Sequence, residues 1–178
     1  MFAKLYSEFI RLYDVDKLHF FISICIMVSI IVVGVILVRK YAKDKIIVGS
    51  LASVYVAFML HYMLFGRPFQ AERTYELELF WTIRTAVETG NLLYYWYVVV
   101  NIAVFFIFTL FMCYLTSNSK MSISVALSLS VFIEVNQFIF KLGMFEFDDL
   151  INNVIGIVMG CMIFVIAKKV ETGISKIK

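Results

Sequence analysis

Two carboxylates and three amides stand within or beside long apolar runs of this chain: Glu134, Asp149, Asn101, Gln137 and Asn153. Glu134 and Gln137 are three residues apart in the run from Ser122 to about Lys141. A helix there puts them on one face, which Lys141 continues toward its end. In the following run Asp149, Asn153, Gly156 and Gly160 recur at i, i+4, i+7 and i+11, a second narrow stripe. Its Gly-x-x-x-Gly half permits close approach of a neighbouring helix. The connection from Leu142 to Asp148 is short, so the two helices are expected to be adjacent and antiparallel. Glu134 and Gln137 can then face Asp149 and Asn153.

The cost of such groups in lipid separates them. A carboxylate at the centre of a spanning helix costs about 2.5–3.5 kcal/mol on an insertion scale, and an interhelical polar contact returns about 0.6 kcal/mol. Glu134 and Asp149 are therefore the first candidates for function. The amides read equally as binding groups or as helix-to-helix glue. His61 reads as a packing residue in a stripe of four-residue steps, Gly49, Ser53, Ala57 and His61. Glu146 and Asp148 read as part of a solvated loop, with recruitment of a cation as the alternative. Arg67, just past the second run, is suited to a phosphate or carboxylate. The candidate ligand-binding set, which reads as lining an outward-facing polar pocket or else forming a buried polar network, is Arg67, Asn101, Glu134, Gln137, Asp149 and Asn153, with Gly156 and Gly160 in helix packing.

Catalysis is a second reading. Two facing carboxylates can do acid–base work on a lipid-linked head group when their environments separate their pKa values. No nucleophile–base pair, HExxH, paired-cysteine zinc signature or phosphate-cradling glycine loop accompanies them, so no catalytic residue, metal or cofactor is assigned. A non-catalytic subunit of a membrane complex, docking through one of the small-residue stripes, is a third reading.

The elements that must hold these groups follow from composition. Of 178 residues, 62% are hydrophobic and 16% charged, with a mean hydropathy of +0.92. A soluble domain has about 45–50% apolar and about 25% charged residues, so the chain is expected to be an all-α transmembrane bundle. Five spans are predicted: Phe20–Val38, Ile46–Phe65, Tyr95–Leu115, Ser122 to about Lys141, and Leu150–Ala167. Residues 1–19 form an amphipathic interfacial helix, residues 20–167 the bundle, and residues 168–178 a basic tail. Cys25, Cys113 and Cys161 all lie in apolar runs and read as free buried thiols. Arg39, Lys40, Lys43, Lys45, Lys120, Lys168, Lys169, Lys176 and Lys178 share one side if the C-terminus is cytoplasmic and the N-terminus outside. Between spans two and three, residues around Leu77, Phe80, Trp81, Ile83, Arg84 and Val87 predict a short amphipathic helix at the outer surface, closed by Gly90-Asn91. The net charge of +3 is spread by topology rather than gathered in a patch, which argues against nucleic-acid binding.

The segment Glu134–Gly160 resembles the signature of the VanZ-like membrane proteins: Glu-x-x-Gln, a short basic and glycine-containing turn, Phe-Glu-x-Asp-Asp, then Asn-x-x-Gly-x-x-x-Gly. Here these are Glu134, Gln137, Lys141, Gly143, Phe145, Glu146, Asp148, Asp149, Asn153, Gly156 and Gly160. Arg67 closes the second span as the family's arginine does. Phe80-Trp81-Thr82-Ile83-Arg84 is similar to the family's Pro-Phe-Trp-Ser-Tyr stretch, and Asn101 with Phe105 to its Asn-x-x-x-Phe. The family's Asn-Leu-x-Pro-Phe reads Glu76-Leu77-Glu78-Leu79-Phe80, without the asparagine and proline. The resemblance implies a multi-pass membrane protein acting at the Gram-positive cell surface on sensitivity to glycopeptide antibiotics, chiefly teicoplanin, with no established catalytic reaction. The expected partners are a membrane lipid, a lipid-linked wall precursor or a lipoglycopeptide.

Overall fold

The computed structural model describes residues 43–65, 67 and 69–175. The expected amphipathic segment 1–19, the span Phe20–Val38, Cys25, Gly66 and Pro68 lie outside the described residues. Among those described, four helical segments are long and apolar enough to cross a membrane: Asp44–Leu64, Leu92–Thr116, Ser119–Phe140 and Phe147–Ile174. The chain is an all-α membrane bundle, as its composition requires. The described residues divide into two compact units, one holding those from 43 to 74 with Asn136–Met144, the other Tyr75–Val135 with residues 145–175.

In the first unit, α1 (Lys43–Leu60) runs directly into a π-helical turn, His61–Phe65. Ala52, Val56, Met59 and Met63 are buried, at steps of four, three and four that hold one face of a helix. The predicted stripe of Gly49, Ser53, Ala57 and His61 is not the buried one, and His61 is exposed. The reason is geometric. Each four-residue step overshoots a 3.6-residue turn by about 40°, so three such steps wrap about 120° around the helix.

The far end of α4 (Ser119–Phe140) belongs to the same unit. Leu142 N–H donates to Gln137 O at 2.9 Å, with Lys141 at φ 56°. A six-to-one bond over a left-handed residue is a Schellman stop, here on a lysine rather than the usual glycine. Lys141 is held there from both ends: its carbonyl accepts Gln70 N–H at 2.8 Å, and its Nζ donates to Ala71 O at 2.8 Å.

The second unit is built on α3 (Leu92–Thr116) and α5 (Phe147–Ser175). They run parallel, because Asn101 meets Asp149, Ile102 and Phe106 lie against Gly156, and Phe106 and Thr109 lie against Gly160. Theirs is the most extensive helix pairing among the described residues. A Cβ on Gly156 would overlap Ile102 O, and one on Gly160 would stand 2.6 Å from Phe106 O. α5 continues past the expected end of its span at Ala167; its 29 residues cover about 43 Å, more than the ~30 Å of hydrocarbon.

α2 (Trp81–Thr89) is the predicted amphipathic helix, shortened at its start because Phe80 takes a left-handed conformation, φ 61°. Gly90, φ 65°, closes it. The Asn91 side chain then accepts Leu93 N–H at 3.0 Å and caps α3. Two short strands, β1 (Thr74–Glu76) and β2 (Met144–Glu146), pair as a two-stranded sheet. In β2 lies Glu146, half-buried, where a solvated loop was expected.

Replacing Gly156 by alanine forces α3 and α5 apart, since the atom it meets is backbone. The expected loss is about 1–3 kcal/mol, read by denaturant unfolding of the detergent-solubilised chain. Gly173→Ala, whose Cβ meets nothing within 4 Å among the described residues, is expected to be neutral or slightly stabilising in the same assay.

Candidate functional site: a buried polar layer

α4 and α5 meet through a hydrogen bond from Asn153 Nδ2 to Ser130 Oγ, 2.9 Å. Glu134 is one turn further along α4, and Asp149 one turn back along α5. The two helices are joined by a short connection and run antiparallel, so both steps lead the same way, and the carboxylates come to one level. α3 adds the third wall: Asn101 Nδ2 donates to Asp149 Oδ1 at 2.5 Å. Glu134 is 0% exposed and Asp149 4%, and Asn101, Ser130 and Asn153 are buried with them. Glu134 Oε2 also receives Glu146 N–H over a long 3.4 Å. Asn153 Oδ1 is buried and makes no hydrogen bond among the described residues.

Of the candidate set, Asn101, Glu134, Asp149 and Asn153 therefore share one unit. Arg67 and Gln137 lie in the other. Gln137 Nε2 donates to Met63 O at 2.9 Å, satisfying a carbonyl of the π-helical turn, and its Oε1 is buried and makes no hydrogen bond among the described residues. Arg67 lies across Gly143, where a Cβ would come 3.1 Å from both its Cδ and Nη1. Gly143 also has φ 154°, so two independent constraints ask for glycine there. Among the described residues no three His, Cys, Asp or Glu side chains are grouped to hold a metal ion.

Two residues of this region escaped the sequence reading. Ser130 is polar and one turn before Glu134, a spacing that would have marked it. Asp148 was expected in a solvated loop and is instead buried in the first turn of α5. Its Oδ1 accepts Phe80 N–H at 2.6 Å and its Oδ2 accepts Thr82 N–H at 2.8 Å. Phe80, the N-cap of α2, has no side-chain oxygen to offer, so α5 supplies the missing cap from a distance. The signal was the tandem Asp148-Asp149 at a helix start, where the dipole favours acids but only one can point along the stripe.

A bundle of apolar helices around a layer of buried acids and amides is a polytopic membrane protein with one specialised level. A family model for VanZ/LLP1 matches residues 52–168, well over half of the chain, and the chain belongs to that family. The segment Glu134–Gly160, on which the resemblance was read, lies wholly inside the match. No curated protein and no solved structure matches the chain.

Asp148→Ala strands two backbone donors and is expected to cost about 1.5–3 kcal/mol, with hydrogen-exchange protection lost first at the start of α2. Asp148→Asn keeps one acceptor and is expected to fall between. A separate pH effect arises outside the spans. The Arg84 guanidinium hydrogen-bonded to Glu78 holds that carboxyl below its ordinary range. A depressed carboxylate stabilises the fold above its unfolded pKa and loses that contribution as pH falls through its folded value. Intrinsic-rate-corrected exchange at residues 78–84 is therefore expected to rise on acidification, and the rise is expected to be smaller in Glu78→Gln.

Proposed function

We propose that this VanZ-family chain acts at the outer leaflet of a Gram-positive membrane. Through its polar layer it would engage a lipid-linked wall precursor or the glycopeptide antibiotic teicoplanin, lowering susceptibility to the drug. In this reading the N-terminus is outside and the C-terminus in the cytoplasm, so that the level of Glu134 and Asp149 falls in the outer half. The observation that carries this reading is the burial of these two carboxylates at one level of an apolar bundle. Burying a carboxylate in an apolar bundle is costly, and two at one level support a binding role beside helix packing.

The chemistry of the layer favours one kind of ligand group. When ionised, carboxylates accept and do not donate, and Asn153 Oδ1 is a further buried acceptor that makes no hydrogen bond among the described residues. A ligand group meeting this layer is a donor: the hydroxyls and amide N–H groups of sugars and peptides suit it better than a phosphate does. Arg67, in its own unit, is the group fit for an anion.

The test is teicoplanin susceptibility of a sensitive Gram-positive host carrying wild-type chain, Glu134→Gln or Asp149→Asn at matched membrane levels. Wild type is expected to lower susceptibility. Each variant is expected to lose the effect in large part, since a charge-assisted hydrogen bond of about 1.5 kcal/mol or more corresponds to roughly tenfold in affinity. Wild-type behaviour from both folded variants would remove the polar layer from the function. A well-folded wild type without effect would detach this member from glycopeptide susceptibility.

A further inference from the structure

The burial of α2 is inverted relative to its polarity. The face turned to the protein carries Thr82 and Ala86, 2% and 1% exposed, while Ile83 and Val87 are 41% and 68% exposed. Phe80, one turn before Ile83, extends the exposed apolar stripe, and Leu79 and Leu77 precede it, all more than half or about half exposed. Arg84 and Glu88 occupy a third stripe, about 100° further round. In water this arrangement leaves the larger apolar side chains outside and a small, partly polar face within. It is the arrangement of a helix with protein on one side, lipid on a second and water on a third.

The level of α2 is set by two attachments. Its start is bonded to Asp148 in the first turn of α5, and its end is separated from Leu92, the first residue of α3, only by Gly90 and Asn91. α3 and α5 run parallel and are both long and apolar enough to span, so both begin at the same boundary of the bilayer. α2 is tied to that boundary twice. The exposed residues that follow on α3, Leu92, Leu93 and Trp96, belong to a spanning helix and continue the apolar surface of α2 into the hydrocarbon. An aromatic series bridges the two elements: Trp81 meets Tyr94 edge-on at 6.0 Å, and Tyr94 meets Tyr97 at 6.3 Å. Aromatic rings of this kind favour the interfacial level.

We propose that α2 is an in-plane membrane helix. Its stripe of Phe80, Ile83 and Val87 is seated among lipid chains just below the head groups, and Arg84 and Glu88 face the water. The charge pattern specifies the lipid chemistry. Arg84 is engaged by Glu78 and lies within 3.8 Å of Glu88, and Glu76 adds further negative charge nearby. This helix therefore offers no spare cation to an anionic head group. Its association is with apolar chains and is indifferent to anionic lipid, unlike that of a basic amphipathic helix.

The experiment uses the unaltered chain in nanodiscs made with a phosphatidylcholine that carries a photoactivatable diazirine high on one acyl chain. Adducts are mapped by peptide mass spectrometry, with Leu92 and Trp96 as internal lipid-facing references. Adducts at Ile83 and Val87 comparable with those references, and several-fold above Arg84 and Glu88, are the expected result. Labelled references with unlabelled Ile83 and Val87 would overturn the proposal and point to a second protein copy or to water over that stripe. Replacing half of the host lipid by phosphatidylglycerol is expected to leave the α2 adduct yield unchanged. A several-fold rise would overturn the apolar basis of the contact.

Discussion

An acid at the start of a membrane helix has to find its donors within the protein, and the tandem Asp148-Asp149 finds them on two different elements. The two side chains diverge by about 100° around α5, so one reaches α2 and the other α3. Asp148 takes two backbone N–H groups from α2, and Asp149 takes the amide of Asn101 from α3. Much of the second unit depends on this division. Without it α2 has an uncapped start on a left-handed phenylalanine, and α5 begins with a buried charge deprived of its amide donor.

The reach of Asp149 depends in turn on what lies deeper along the same stripe. A contact of 2.5 Å between side chains as short as Asn and Asp requires their backbones to be close, and Gly156 and Gly160 let α3 approach closely enough for Ile102 and Phe106 backbone atoms to occupy the space of a side chain. The acid and the glycines are one device. The glycines set the spacing of two parallel helices, and the spacing determines whether the acid is satisfied.

How much of this was legible in the sequence depended on whether spacing matched the helix period. Asp149, Asn153, Gly156 and Gly160 combine steps of four and three, stay within about 60° of one another, and are all buried. Gly49, Ser53, Ala57 and His61 use only steps of four, drift about 120°, and do not form the buried face. The four described spans were readable from hydropathy because lipid requires it. The left-handed Phe80 and Lys141 were not, since neither residue type announces that conformation. The role of Asp148 was hidden for a different reason: its partners are backbone groups 66 and 68 residues away in sequence, and backbone donors leave no mark on composition.

The inverted burial of α2 follows from the same division of labour. A cap drawn from α5 fixes the start of the helix against the bundle, so the residues facing inward must be small, and Thr82 and Ala86 are. Larger apolar side chains then have to point elsewhere. In a soluble fold that would be a defect, because exposed Ile83 and Val87 would oppose solubility while Thr82 weakened the core. Beside the first turns of two spanning helices it is consistent, because the surroundings at that level are themselves apolar. The polarity of α2 is thus matched to the boundary at which Asp148 holds it, and the carboxylate that caps the helix also determines which of its faces is correct.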